Sequence, residues 1–431
     1  MSFETISVVG LGYIGLPTAA MFASRKLKVI GVDVNQYAVD TINQGKIHII
    51  EPDLDMLVHA AVTEGYLKAV TTPEPADAFL IAVPTPFKAN RINKESIGGD
   101  VPEPDLKYIE AASKAIAPVL KKGDLVILES TSPVGATEQM AEWLAEARTD
   151  LTFPQSAGEN ADVNIAHCPE RVLPGHVVRE LVENDRVIGG ISKRCSERSV
   201  ELYKNFVAGD CVITNARTAE MAKLTENSYR DVQIAFANEL SVICDKLDID
   251  VWELISLANR HPRINILQPG PGVGGHCIAV DPWFIVSKTP EQAQLIHTAR
   301  KVNDAKPEWV INKVKLAVAN FLQANPTKTA VDVRISCFGL AFKPNIDDLR
   351  ESPSLAIAQQ IAKSHPSIVN FVEPNVAEIS KNLSENAQLI QFEGAMHQTD
   401  IAVMLVDHAE FKNFKELPTE VVVVDTKGIW K

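Results

Sequence analysis

The chain opens on a short apolar run, Thr5-Ile6-Ser7-Val8-Val9, that leads straight into Gly10-Leu11-Gly12-Tyr13-Ile14-Gly15. From Leu16 to Ser24 small and apolar residues follow at helical spacing, and Lys28-Val29-Ile30-Gly31-Val32 is a second apolar run ending at Asp33. Strand, glycine turn, helix, strand and acid in this order predict a dinucleotide-binding unit. The glycines permit a tight turn and a close approach to pyrophosphate, and the helix N-terminus faces the phosphates. Asp33 accepts hydrogen bonds from ribose hydroxyls; a carboxylate there repels a 2′-phosphate, which favours NAD over NADP. Two further apolar runs, Ala78-Phe79-Leu80-Ile81-Ala82-Val83 and Leu125-Val126-Ile127-Leu128, end in Pro84-Thr85-Pro86 and in Glu129-Ser130-Thr131-Ser132-Pro133-Val134-Gly135. Strand carboxyl ends line the crevice of a doubly wound sheet, so both loops are expected beside the cofactor. Plain turn chemistry is the alternative.

Residues 214 to about 259 contain no Gly or Pro and predict long helical material. Within it Glu220, Lys223, Leu224, Asn227, Arg230 and Asp231 recur at spacings of three and four, a polar stripe that is either a solvated face or one wall of a cleft. From about Arg334 the first pattern returns: 335–342, 367–372, 401–406 and 421–424 are apolar runs, each followed by a charged residue. The fold class expected is therefore α/β, with two Rossmann-like parallel-sheet domains (1–210 and 316–431) joined by a long-helix central domain (211–315). Leu349-Arg350-Glu351-Ser352-Pro353 offers a phosphate contact or simply a helix N-cap. The polar, aperiodic segment 87–103 is expected to be a surface loop beside the cofactor crevice.

Gly270-Pro271-Gly272-Val273-Gly274-Gly275-His276-Cys277-Ile278-Ala279-Val280-Asp281 places a thiol at the end of a glycine-rich loop, four residues before a carboxylate. A lone Cys is most often a small buried hydrophobe, but closely spaced glycines make a poor core strand. A loop delivers an accessible sulfur, which is what a nucleophile needs. A nicotinamide cofactor paired with a nucleophilic Cys277 fits oxidation of an alcohol through an aldehyde to an acid. The net charge of −13 and the lack of a basic stripe disfavour nucleic acid. No apolar run reaches 18 residues, so no membrane partner is expected. The six cysteines lack CxxC or His spacing, so no metal site is expected and a reduced, cytoplasmic protein is.

Gly10-x-Gly12-x-x-Gly15, Pro84-Thr85-Pro86, the 129–135 run, Pro169-Glu170-Arg171, Ala219-Glu220-x-x-Lys223-x-x-x-Asn227, Gly274-Gly275-x-Cys277-x-x-x-Asp281 and 338–343 together resemble the UDP-glucose/GDP-mannose dehydrogenase family, nearly end to end. Residues 168–175, His261-Pro262-Arg263 and Asp281-Pro282-Trp283-Phe284 look like the branch acting on UDP-N-acetyl-hexosamines. Arg171-Val172 stands where hexose-specific members usually carry Phe-Leu, and a guanidinium there can donate to an acetamido carbonyl. N-acetyl-D-mannosamine is the sugar expected first, with N-acetyl-D-glucosamine or glucose as alternatives.

The resemblance implies a four-electron oxidation at sugar C6 that uses two NAD⁺ in turn. Cys277 traps the aldehyde as a thiohemiacetal, then forms a thioester that water hydrolyses. By the same resemblance Lys223 is proton donor and acceptor or electrostatic support for oxyanions. Asn227 positions the sugar or a water, and Glu170 or Asp281 activates the hydrolytic water. The cofactor falls to Gly10, Gly12, Tyr13, Ile14, Gly15, Asp33, Thr85 and Thr131, with Arg350 from the carboxy-terminal domain. The UDP-sugar falls to Arg171, Val172, Lys223, Asn227, Arg230, His261, Arg263, Gly274, Phe342 and Lys343. His276 receives a structural or thiolate-stabilising role. A homodimer through the central helix is implied, with Arg263 reaching the partner's site, domain closure on substrate, and a surface-polysaccharide precursor as product. A single-step β-hydroxyacid dehydrogenase is one rival, needing neither the thiol nor a second nucleotide-type domain. A non-catalytic nucleotide sensor is the other.

Overall fold

A computed structural model describes residues 3–88, 101–173, 175–275, 277–376, 384–396, 398–414 and 420–430. Most of the expected 87–103 loop and His276 lie outside these. The chain divides into two compact units: one runs to Glu226 and includes Ser287–Thr289, the other holds Asn227–Val286 and everything from Pro290.

In the first unit, β1 (Thr5–Val9), β2 (Lys28–Val32), β3 (Leu67–Val70), β4 (Ala78–Ile81), β5 (Leu125–Leu128), β6 (Asn164–His167), β7 (Arg186–Gly190) and β8 (Cys211–Asn215) form one sheet. Their order is β3-β2-β1-β4-β5-β6-β7-β8, parallel throughout except between β6 and β7. The sheet thus takes in β8, beyond the 210 boundary expected for this domain. Strands β4 and β5 are apolar at every position because both faces are covered. Ala78, Leu80, Leu125 and Ile127 join one core, while Phe79, Ile81, Val126 and Leu128 join the other. That alternation is the period-2 geometry of a strand. Burying each of these larger side chains contributes roughly 1.5–3 kcal/mol. The β1/β4 neighbourhood is where the strand order reverses, which puts the ligand crevice at the carboxyl ends of these strands.

The second unit repeats the plan with β9 (Ile335–Phe338), β10 (Val369–Val372), β11 (Ala387–Leu389), β12 (Ile401–Met404) and β13 (Val422–Asp425), ordered β11-β10-β9-β12-β13 and all parallel. The turn after β9 also matches the turn after β1. Gly10 (φ +93°) and Gly339 (φ +84°) each donate an amide to the strand alongside, at 2.8 Å, and an acid at the end of that strand accepts the next amide. In the first sheet that acid is Asp33; in the second it is Glu373. Glu373 is fully enclosed and also accepts from Ala341 N and His408 Nε2. Burial raises its pKa, but His408 and the two amides outweigh burial and hold it below the usual carboxylate range.

The helical middle differs from the uniform stretch expected. Helix Ala216–Leu247 stops where Asp248 takes a left-handed conformation (φ +56°), and Asp250 caps a second helix, Val251–Ala258, by accepting from Trp252 N and Glu253 N. No Gly or Pro marks the break; aspartates make it. A further long helix, Gln294–Ala324, continues past 315 because Val310, Val314, Ala317 and Phe321 form a stripe at helical spacing that packs on the second sheet. No helix among the described residues is long and apolar enough to cross a membrane.

Candidate active site

The three glycines after β1 do different jobs. A Cβ on Gly15 would sit 1.7 Å from the Gly10 carbonyl oxygen, and one on Gly10 would sit 2.6 Å from Ala82 O. These two glycines are required by packing. A Cβ on Gly12 would meet nothing within 4 Å. Gly12 therefore borders open space just ahead of helix Gly15–Ser24, where a pyrophosphate can approach the amides. Half-buried Asp33 accepts from Leu11 N and Asn35 N, both at 2.9 Å, which orients it beside that space. Thr85 Oγ1 is buried without a hydrogen-bond partner among the described residues, a polar group that a bound cofactor would satisfy. Half-buried Tyr13, Ile14 and Thr131 complete the strand ends. The residues present fit a dinucleotide. Gly12→Ala is expected to leave Tm unchanged while weakening NAD binding at least about tenfold, whereas Gly15→Ala lowers Tm; thermal melts with and without NAD check both.

Below this crevice lies a buried polar cluster that the sequence did not announce. Glu170 and Arg186 form an ion pair at 2.7 Å, 6% and 2% exposed, and Glu170 Oε1 accepts from Arg171 N at 2.6 Å. Tyr203 OH donates to Glu129 Oε1 at 2.6 Å, and the Arg186 guanidinium stacks 5.3 Å from the Tyr203 ring. Burial pushes the Glu129 carboxyl up to about 7 and the Cys168 thiol up to about 12. Glu170 is thus engaged with a guanidinium and a backbone amide. Arg171 places its own guanidinium on Glu226 at 2.6 Å and on Asp185 O at 3.2 Å, and Val172 packs on the first core.

The polar stripe on helix Ala216–Leu247 separates into distinct fates. Glu220 is buried and accepts from Gly135 N, Thr137 N and Thr137 Oγ1, stabilising the start of helix Ala136–Ala147. It therefore makes no surface pair with Lys223. Lys223 and Asn227 are half-buried, one turn apart on the same face, and Arg230 is exposed.

In the second unit Cys277 is the exposed cysteine; Cys211 is half-buried and the other four are buried. Its carbonyl accepts from Val280 N and Asp281 N at 3.0 and 2.9 Å, folding the chain directly into helix Asp281–Lys288. Asp281 is 3% exposed, stands at that helix start where a carboxylate is favoured, and accepts from Asn227 Nδ2 at 2.5 Å. The glycines bring the loop against its walls. A Cβ on Gly274 would lie 2.6 Å from Glu351 O and 3.2 Å from Phe342 Cβ, and one on Gly275 would lie 3.4 Å from the Phe342 ring. Asn227, Gly274, Cys277, Asp281 and Phe342 thus come together, with Lys343 next to Phe342. His261 and Arg263 are exposed on a separate turn, where Arg263 N donates to His261 Nδ1 at 3.4 Å. Arg350 is exposed and ion-paired with Asp348 at 2.6 Å, and Ser352 caps helix Pro353–Ser364.

An exposed thiol on a glycine loop, a cofactor-ready first sheet and a second sheet of the same plan define a nucleotide-dependent oxidoreductase. Three consecutive domains match the chain: the UDP-glucose/GDP-mannose dehydrogenase family NAD binding domain over residues 4–207, its central domain over 217–305 and its UDP binding domain over 336–431. The chain belongs to this family, and its cofactor is NAD. It is 65% identical to the UDP-N-acetyl-D-mannosamine dehydrogenase of Yersinia pestis, covering all of both chains. It is 61% identical to an NDP-N-acetyl-D-galactosaminuronic acid dehydrogenase of Ralstonia nicotianae, covering all of this chain and 97% of that one. Among solved structures, the UDP-D-ManNAc dehydrogenase of Pyrococcus horikoshii superposes with a TM-score of 0.84 at 36% identity, over 99% of this chain and 96% of that one.

Proposed function

We propose that the protein oxidises UDP-N-acetyl-D-mannosamine at C6 to UDP-N-acetyl-D-mannosaminuronate, in the cytoplasm, as a precursor of surface polysaccharide. The observation that carries this reading is the exposed Cys277 on its glycine loop, one helical turn before an Asp281 already bonded to Asn227. Bound NAD⁺ supplies a hydride acceptor for each of two oxidations. Lys223 takes the C6 hydroxyl proton. The Cys277 sulfur adds to the resulting aldehyde, and the thiohemiacetal becomes a thioester at the second oxidation. Asp281, oriented by Asn227, takes a proton from the water that attacks the thioester, and the thiolate leaves. We assign that role to Asp281 rather than Glu170, because a carboxylate held by a buried guanidinium is a poor base. Glu170 instead holds the backbone of Arg171, which addresses the acetamido group. Residues 342–343 and Arg230 hold the UDP-sugar with Gly274; His261 and Arg263 serve the same substrate, Arg263 from the partner of a homodimer. Arg350 reaches the cofactor.

The homodimer forms along helix Ala216–Leu247, where the exposed Tyr229, Phe236 and Ile243 recur every seven residues, a spacing that suits a helix–helix seam. A panel of UDP-sugars tests the chemistry. Two NADH per UDP-N-acetyl-D-mannosamine are expected, with lower kcat/KM for the N-acetylglucosamine, N-acetylgalactosamine and glucose derivatives. One NADH per substrate overturns the four-electron reading, and equal efficiency on another sugar overturns the substrate.

A further inference from the structure

The loop that presents Cys277 is tied at both ends to one helix. At its end Asp281 accepts from Asn227 Nδ2; at its start the Gly270 amide donates to Asn238 Oδ1 at 2.9 Å. Asn227 and Asn238 lie eleven residues apart on Ala216–Leu247, about 16 Å along the axis. Asn238 is 1% exposed and held in turn. Its Nδ2 donates to Asn303 Oδ1 at 2.9 Å, and Asn303 Nδ2 donates to the Asp231 carbonyl and carboxylate at 3.0 and 2.8 Å. Asp231 is ion-paired with the buried Arg300 at 2.6 Å. Ser241 Oγ donates to the Asn238 carbonyl, and Lys306 Nζ donates to Ser241 Oγ. This chain of donors leaves the Asn238 carboxamide one satisfying orientation, oxygen toward Gly270.

Two helices can be joined as firmly by apolar side chains, and replacing a buried ionic cluster with hydrophobes is often neutral or stabilising. A polar seam that ends on the amide of a catalytic loop therefore calls for a reason beyond stability. Between Gly270 and Gly275 the backbone has little slack. A Cβ on Gly272 would lie 3.0 Å from Pro353 and 3.2 Å from Pro307, and Gly274 is closed off by Glu351 and Phe342. A shift at Gly270 is thus passed along the loop as far as Gly275, two residues before Cys277.

We propose that Asn238 is a positioning residue for the reaction, fixing the start of the Cys277 loop through Gly270 as Asn227 fixes its end, with Asn303 setting its orientation. This rests on Cys277 being the nucleophile. Asn238→Leu is expected to lower kcat for uronate formation about 10- to 100-fold, because small misplacements of a reacting group are that costly. KM for UDP-sugar and NAD should stay within about threefold, since the Asn238 side chain is buried against Gly270 and Asn303. Hydrogen exchange at the Gly270 amide should accelerate. Asn238→Asp, held neutral by burial, keeps an oxygen for Gly270 and an O–H for Asn303 Oδ1, and should recover most of kcat. Unchanged kcat in Asn238→Leu, or no recovery in Asn238→Asp, overturns the proposal. If Asn238→Leu does not fold, Asn238→Asp decides alone: slow Gly270 exchange with kcat near wild type supports the role, and fast exchange with wild-type kcat overturns it. The parent reading fails separately, if Cys277→Ser still forms uronate.

Discussion

Cys277→Ser is expected to lower uronate formation about 10³-fold or more, ~4 kcal/mol of barrier, while binding of UDP-sugar and NAD changes little. A hydroxyl in place of the thiol captures the aldehyde weakly and makes a poor leaving group at hydrolysis, so the second oxidation suffers most. Rapid-quench assays should find at most one NADH per active site, followed by stalling or slow release of aldehyde. The thiol's position makes the experiment clean: Cys277 is exposed, so the substitution removes no core packing, unlike a change at the buried Cys168 or Cys337. Wild-type uronate production by the serine variant, with two NADH per sugar, would remove the covalent route and favour oxidation through the hydrated aldehyde.

Glu170→Gln should destabilise the first unit by about 3–5 kcal/mol, since it leaves Arg186 charged, 2% exposed and without its carboxylate. For a domain of this size that lowers Tm by roughly 10 °C. Adding Arg186→Met should return part of the loss, because the pair removed together leaves no isolated charge. Differential scanning calorimetry of the single and double variants checks both statements. An unchanged melt combined with selective loss of thioester hydrolysis would instead give Glu170 the water-activating role and take it from Asp281.

The fold was legible where periodicity was strong. Strands β1, β2, β4, β5, β9, β10, β12 and β13 each begin or lie within an apolar run, because sheets covered on both faces tolerate few polar positions. Strands β3, β6, β7 and β8 were not, since Lys68, Asn164, His167, Arg186 and Thr214 interrupt their apolar pattern with polar residues. At the site, the order of the glycines and Cys277 was visible because glycine spacing is a local signal. The allocation of Glu220 to Gly135 and Thr137, and of Asp231 to Arg300, was not, because partners 85, 83 and 69 residues away leave no trace in a helical stripe. Asn238 and Asn303 are silent for the same reason: a buried asparagine looks like a surface one until its neighbours are known.

The matched turns at the heads of the two sheets differ in one respect that matters for ligands. Asp33 keeps part of its surface open, whereas Glu373 is sealed by His408 and two amides. Of these two corners, the one at the first sheet presents a carboxylate with open surface to a ligand. A ligand at the second sheet meets no bare anion at the equivalent corner, so a phosphate that an open carboxylate would repel carries no such penalty there.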